Sequence, residues 1–158
     1  LGEDIYLCCL ARLCGYEVKI IQNSGFWHRV GNSLGGGKVV KNRLSTSKRR
    51  RSLSERNKNY VIILTYPPGF FYLVFPLHIL LLIFEGIALS IVKKDPNLWR
   101  AIYWECLKAL WNNRQLLYRM RKRIQTRRRI SSLKFLTPVV FIHQKIWMLI
   151  KHGLPEIR

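Results

Sequence analysis

The sequence predicts an α/β unit followed by a mainly α-helical, membrane-associated region. Three observations lead to this fold class. A helical pattern followed by an alternating β-branched pattern occupies residues 4–21, a long apolar run occupies residues 70–92, and a basic amphipathic pattern begins at Asp95. These patterns divide the chain into residues 1–58, 59–94 and 95–158.

The composition combines a high positive charge with a high apolar content. The 158 residues carry a formal net charge of +20, and 49% of them are hydrophobic. A disordered basic tail would be poor in large apolar residues, so this class is excluded. Separate basic and apolar segments are typical of a membrane protein with polybasic flanks. The charge implies an anionic partner, which could be nucleic acid, an acidic membrane surface or phosphorylated ligands. The separation into basic and apolar segments favours the membrane surface.

The first segment contains a helix and a strand-like stretch. Apolar side chains share one helical face within residues 4–14, and Gly15 is a natural residue to end that helix. Residues 16–21 alternate and include β-branched side chains, which predicts a strand. A helix followed by a strand is a unit of α/β domains.

A basic stretch follows, in which four glycines precede a cluster of cations. Nine of the residues from Lys38 to Lys58 are Lys or Arg. We interpret residues 31–58 as a loop or a short basic helix.

The apolar run at residues 70–92 is about as long as a membrane-spanning helix. Pro76, His78, Glu85 and Gly86 interrupt it, and a carboxylate at membrane depth costs roughly 2.5–3.5 kcal/mol. The run could span the bilayer, form a re-entrant or interfacial segment, or be buried in protein. Basic clusters at both ends favour a re-entrant or interfacial arrangement with both ends in the cytoplasm.

The pattern of the third segment predicts a basic helix. Asp95 would be its N-cap and Pro96 its first helical residue. Apolar side chains then recur at helical spacing, and arginines occupy the other face. Such a helix lies on an anionic membrane, or it is a soluble helix with one core face. Residues 133–150 are too interrupted to predict a span.

Few residues could carry chemistry on their own. Glu3 and Asp4 form the one adjacent acidic pair, which by itself indicates compensation of a helix dipole. His28 and the pair Arg56 and Asn57 are by themselves typical of structural roles. The cysteines and histidines lack the spacing of a zinc site, and we expect reduced thiols.

The order of these motifs resembles family-2 glycosyltransferases of the rhamnosyltransferase-like, cell-surface polysaccharide group. The resemblance covers residues 2 to about 130. It rests on five motifs in order, namely Glu3–Asp4, Gly15–Tyr16, Trp27–His28, Ser33 with Gly35–Gly36, and Glu55–Arg56–Asn57.

The resemblance implies inverting transfer of a sugar from a nucleotide-sugar donor to a lipid-linked or glycan acceptor. Residues 1–58 would be the C-terminal remnant of a GT-A, Rossmann-like α/β domain. Asp4 would be the catalytic general base. Glu3, His28, Arg56 and Asn57 would bind substrate, with His28 also a ligand of the Mg²⁺ or Mn²⁺ that the family uses.

The resemblance also places the chain at the cytoplasmic face of the inner or plasma membrane. The family's second acidic residue and its following arginine are Tyr6 and Leu10 here. The family's donor-binding half and D-x-D metal motif precede the acidic helix, and neither is in this sequence. We therefore expect a fragment that is inactive alone. The alternatives are a nucleic-acid-binding protein, which the apolar run disfavours, and a non-enzymatic protein that binds anionic lipids.

Overall fold

The computed structural model describes residues 2–19, 21–22, 25, 38–40, 43–138 and 144–157. This part of the chain is mainly helical. Its α-helices are α1 (Glu3–Leu13), α2 (Lys48–Thr65), α3 (Pro68–Val92), α4 (Glu105–Asn112), α5 (Arg114–Gln125), α6 (Ser132–Leu136) and α7 (Gln144–His152). A π-helical segment, Trp99–Trp104, leads into α4. The short strands are β1 (Lys38–Val40), β2 (Arg43–Thr46) and β3 (Glu156–Ile157).

The predicted N-terminal helix is confirmed as α1, together with its glycine stop. Glu3 and Asp4 lie in the first turn, where negative charge complements the helix dipole. Gly15 has a φ of 90°, a conformation that favours glycine. The Tyr16 N–H bonds to the Ala11 carbonyl, and the Gly15 N–H bonds to the Arg12 carbonyl. These bonds form a Schellman motif that satisfies the last carbonyls of α1.

The basic run is helical and forms the start of α2. The Ser47 side chain caps this helix by accepting a hydrogen bond from the Arg50 N–H at 3.2 Å. The helix ends before Pro67, because a residue that precedes proline disfavours the helical conformation. Pro68 then occupies the first turn of α3, where its missing N–H costs nothing.

Helices α2 and α3 form an antiparallel hairpin around this proline corner. At its open end, Lys48 of α2 bonds to Asp95, just beyond α3, at 2.9 Å. Arg51 contacts Glu85 of α3 at 2.6 Å. The 25-residue α3 contains Pro76 and ends in a second Schellman motif, with Lys94 at φ 51°.

The predicted helix start at Asp95 is confirmed. The Asp95 side chain accepts a hydrogen bond from the Asn97 N–H at 3.0 Å. The core lies where α3 packs against the π-helical segment and α4. Its buried members are Leu82, Leu89, Leu98, Ile102, Tyr103 and Cys106.

Helix α5 continues along α2 to the proline corner. The Arg121 guanidinium donates hydrogen bonds to the carbonyls of Ile63 and Tyr66, and Gln125 donates to the carbonyls of Leu64 and Tyr66. These two side chains satisfy the carbonyls that the end of α2 leaves without helical partners.

The prediction of an α/β fragment with a GT-A, Rossmann-like fold is wrong. Residues 16–19 form no strand, and the apolar side chains of Tyr16, Val18 and Ile21 are exposed. Alternation alone does not form a strand where no neighbouring strand pairs with it. The sheet in the described residues has the order β1-β2-β3, with an antiparallel and a parallel pairing. It is small and mixed, whereas a Rossmann-like sheet is mostly parallel and packed between helices.

Candidate functional site

Helix α1 lies beside α2, and the two helices run in the same direction. At the N-terminus of α1, a β-carbon at Gly2 would lie 3.5 Å from Cβ of Asn57, in the middle of α2. Further along, the Cys9 side chain hydrogen-bonds with Thr65. The packing brings the acidic end of α1 next to the middle of α2, although more than 50 positions separate them in sequence.

The acidic residues at this junction face solvent. Glu3 and Asp4 are both exposed, in the first turn of a helix whose N-terminus carries a partial positive charge. A carboxylate at such an exposed position is accessible to a bound hydroxyl and can accept its proton.

The basic side of the junction is formed by Arg56 and Asn57. The Arg56 guanidinium donates to the Asn57 side-chain oxygen through Nε at 3.2 Å and Nη2 at 3.1 Å. It also lies over the Tyr60 ring, 5.7 Å from the centroid. These contacts hold a half-buried cation on the surface of α2 close to the N-terminus of α1.

Four of the five predicted site residues therefore belong to one region. Glu3 and Asp4 come from α1, and Arg56 and Asn57 come from α2. His28 lies outside the described residues, so its predicted roles in substrate and metal binding stay predictions.

The described residues offer no ligand set for the metal ion that the resemblance implies. Among them, no three His, Cys, Asp or Glu side chains lie together closely enough to hold an ion. The adjacent carboxylates of Glu3 and Asp4 project in different directions, because consecutive helical residues do not face each other.

A buried polar cluster joins α2, α3 and the π-helical segment. Glu85 accepts from Arg51 at 2.6 Å and from the Tyr103 hydroxyl at 3.3 Å. Burial raises the pKa of Tyr103, so its hydroxyl remains a donor at neutral pH. Burial lowers the pKa of Arg51, but Tyr103, Glu85 and Glu55 more than reverse this effect, and the net pKa is raised.

In the sequence, Glu85 is visible only as an interruption of the apolar run, and its partners cannot be identified. The available signal was the lone carboxylate itself, because a charge among apolar residues requires a compensating cation. The partner lies 34 positions away in the basic run, a separation that no local pattern indicates.

Helix α3 presents most of its apolar surface to the exterior. It is long and apolar enough to cross a membrane, and 17% of its most apolar stretch is buried. A core helix of a soluble protein would be mostly buried. The exposure distinguishes α3 from such a core helix and leaves a large apolar surface without a partner in the described structure.

Comparison of the chain with protein-family models, with curated proteins and with solved structures finds no match.

Proposed function

We propose that this chain takes part in inverting sugar transfer at a membrane surface, from a nucleotide-sugar donor to a lipid-linked or glycan acceptor. In this proposal it is the C-terminal, membrane-associated part of a family-2 glycosyltransferase that serves cell-surface polysaccharide synthesis. Asp4 is the general base, and Glu3, Arg56 and Asn57 contact substrate.

The observation that carries the proposal is the contact between the N-terminus of α1 and Asn57 of α2. Three motifs of the resemblance lie in the described residues. Gly15–Tyr16 follows the far end of α1, and the contact joins the other two, Glu3–Asp4 and Glu55–Arg56–Asn57. Their convergence on one exposed surface supports a common site.

The chemistry requires a base and a cation. The Asp4 carboxylate takes the proton of the acceptor hydroxyl as its oxygen attacks the anomeric carbon of the donor, and the bond from that carbon to the nucleotide diphosphate breaks. Arg56 stabilises the negative charge that develops on the departing diphosphate. Its hydrogen bonds to Asn57 hold the guanidinium in one orientation.

The location of the acceptor fits the rest of the chain. Helix α2, which carries Arg56, continues through the proline corner into the exposed apolar helix α3. A site on α2 therefore lies beside a surface suited to lipid, which is where a lipid-linked acceptor would be found.

The test is the substitution Asp4→Asn in the expressed protein. Asparagine keeps the size of the side chain but cannot accept the proton. We expect sugar transfer to an acceptor in isolated membranes to fall by about a hundredfold or more. Transfer is measured with a panel of radiolabelled nucleotide sugars.

The matched control is Glu105→Gln, which neutralises an exposed carboxylate in the first turn of another helix, α4. This variant should transfer sugar at the wild-type rate. Full activity of Asp4→Asn would remove Asp4 as the base. Absence of sugar transfer by the wild-type protein with every donor would contradict the proposal.

The exposed apolar helix also favours a second candidate, a non-enzymatic protein that binds anionic lipids. In that case Glu3 and Asp4 only compensate the dipole of α1. Wild-type and Asp4→Asn chains would then bind vesicles equally, and neither would transfer sugar.

A further inference from the structure

The apolar surface of α3 is a single stripe along the helix. Its large side chains recur every three or four residues, and all are exposed: Tyr72, Leu73, Leu77, Leu80, Leu81, Phe84, Ile87 and Ile91. We call this set the exposed stripe. Twenty residues of helix extend over about 30 Å, so the stripe is long enough to contact many lipid molecules.

The opposite face of α3 is covered by protein. Leu82 and Leu89 are buried in the core, and Gly86 lies against the rings of Trp99 and Tyr103. One face of α3 therefore packs against protein, and the exposed stripe is the face that remains available to contact lipid.

The hairpin with α2 is incompatible with α3 crossing the bilayer perpendicular to its plane. Helix α2 is tied to α3 through Arg51 and Glu85, and to the end of α3 through Lys48 and Asp95. If α3 crossed the membrane, α2 would cross with it and bring Arg56 and Lys58, in the middle of α2, to membrane depth. Six of the 18 residues of α2 are Lys or Arg, and cations at that depth are strongly unfavourable.

Basic groups flank both ends of the stripe. Lys93 and Lys94 are exposed at its C-terminal end. At the other end, the Arg121 guanidinium lies over the Phe71 ring, 4.1 Å from the centroid, and the exposed cations of α5 follow. Cations at both ends of an apolar surface complement anionic headgroups around the inserted side chains.

A shallow apolar groove of about 360 Å³ adjoins the C-terminal end of the stripe. It is lined by Ile87, Ser90, Ile91, Pro96 and Trp99. The groove extends the apolar surface from α3 toward the π-helical segment, so the surface is wider at this end than one helix face.

We propose that α3 lies in the plane of an anionic membrane, with the exposed stripe among the acyl chains and α2, α4 and α5 on the cytoplasmic side. The chain is then monotopic: it enters one leaflet and does not cross. This inference depends on the membrane association in the proposed function, but not on sugar transfer.

The test measures the depth of three positions on the stripe. Leu73→Cys, Leu80→Cys and Ile87→Cys carry nitroxide labels in a chain whose Cys8, Cys9 and Cys14 are replaced by serine. Cys106 is fully buried and can remain. Depth is measured by paramagnetic relaxation in vesicles of phosphatidylcholine and phosphatidylglycerol.

An in-plane helix predicts equal depths at the three positions, and a spanning helix predicts steps of about 10 Å for every seven residues. Equal depths below the headgroups support the proposal. Stepwise depths overturn it while leaving membrane association intact. Labels that remain in water, or that contact each other in a dimer of this chain, also overturn it.

A paired substitution tests the stripe without labels. Phe84→Lys should weaken binding to these vesicles by about tenfold or more, because it removes a large apolar group from the acyl region. Leu116→Lys changes a similarly apolar, exposed residue on α5 and should bind as the wild type does. Equal binding by the two variants contradicts the proposed surface.

Discussion

The guanidinium of Arg51 lies 2.6 Å from the carboxylate of Glu85 and joins α2 to the apolar helix α3. The Tyr103 hydroxyl donates to the same carboxylate oxygen at 3.3 Å. The side chains of Arg51 and Glu85 are 14% and 28% exposed, so water reaches neither of them freely. The carboxylate in the apolar run is therefore compensated by partners on two other elements.

We predict that Arg51→Met destabilises the fold by about 2 kcal/mol. The substitution leaves a mostly buried carboxylate without its cation, and the residual exposure of Glu85 moderates the cost. The measurement is urea unfolding followed by circular dichroism.

Arg49→Met is the matched control, because Arg49 belongs to the same basic run but is exposed. It should change the stability by no more than about 0.5 kcal/mol. The double variant Arg51→Met/Glu85→Leu should recover part of the loss, since it removes both charges. A double variant less stable than Arg51→Met would show that the unpaired Glu85 carboxylate is not the cause of the lost stability.

Gly86 allows α3 to approach the π-helical segment closely. A β-carbon there would lie 2.6 Å from ring atoms of both Trp99 and Tyr103. We predict that Gly86→Ala destabilises the fold by about 1–3 kcal/mol, because two packed rings must move. The expected result is a lower midpoint of urea unfolding.

Gly69 provides the control within the same helix. A β-carbon at Gly69 would meet nothing within 4 Å, and alanine is the better helix former. Gly69→Ala should leave stability unchanged or slightly raised. Equal effects of alanine at the two positions would refute close packing at Gly86.

The ion pair between Lys48 and Asp95 predicts a dependence of stability on pH. The hydrogen bond from Lys48 lowers the pKa of Asp95 below its usual value. The stabilisation is therefore complete above the unfolded-state pKa of about 4 and is lost as the pH falls through the lowered folded-state pKa. Asp95→Asn should be less stable than the wild type at pH 7, and the difference should shrink toward pH 2.

The thermal unfolding midpoint at each pH measures this difference. Lys48→Met should show the same loss at pH 7, and the double variant should lose little more than either single variant. A difference in unfolding midpoint between the wild type and Asp95→Asn that stays constant down to pH 2 would contradict stabilisation by the ion pair.

Local signals in the sequence predicted several element boundaries correctly. Gly15 ends α1 through its positive φ, and Asp95 caps the next helical stretch through its carboxylate. Both devices depend on neighbouring residues alone, so the sequence contains the information. The predicted strand does not form at residues 16–19, because strand formation requires a neighbouring strand, and local sequence does not specify that partner.

The same distinction applies to the candidate site. The sequence motifs indicated the start of α1 and Asn57 separately, but their contact depends on the packing of α1 against α2. The role of Glu85 depends on Arg51, which is distant in sequence. Contacts between elements decide these features, and a single sequence has no pattern that reports them.

Arg121 is predicted to hold the proline corner between α2 and α3. Its guanidinium donates to the carbonyls of Ile63 and Tyr66 and lies 4.1 Å from the centroid of the Phe71 ring, and burial lowers its pKa. Arg121→Met leaves the Ile63 carbonyl without this donor, leaves the Tyr66 carbonyl with Gln125 alone, and removes the ring contact. Together these losses should cost about 1.5–3 kcal/mol.

Limited proteolysis should detect loosening of the same corner. In Arg121→Met, cleavage near Tyr66 should accelerate by about tenfold or more, since exposure of the corner follows the free energy of local opening. Arg123→Met is the control for the loss of one positive charge, because Arg123 is exposed on the same helix. This variant should be cleaved at the wild-type rate. If Arg121→Lys is as resistant to proteolysis as the wild type, a single positive charge is enough to stabilise the corner. The hydrogen bonds of the guanidinium to two carbonyls would then not be required.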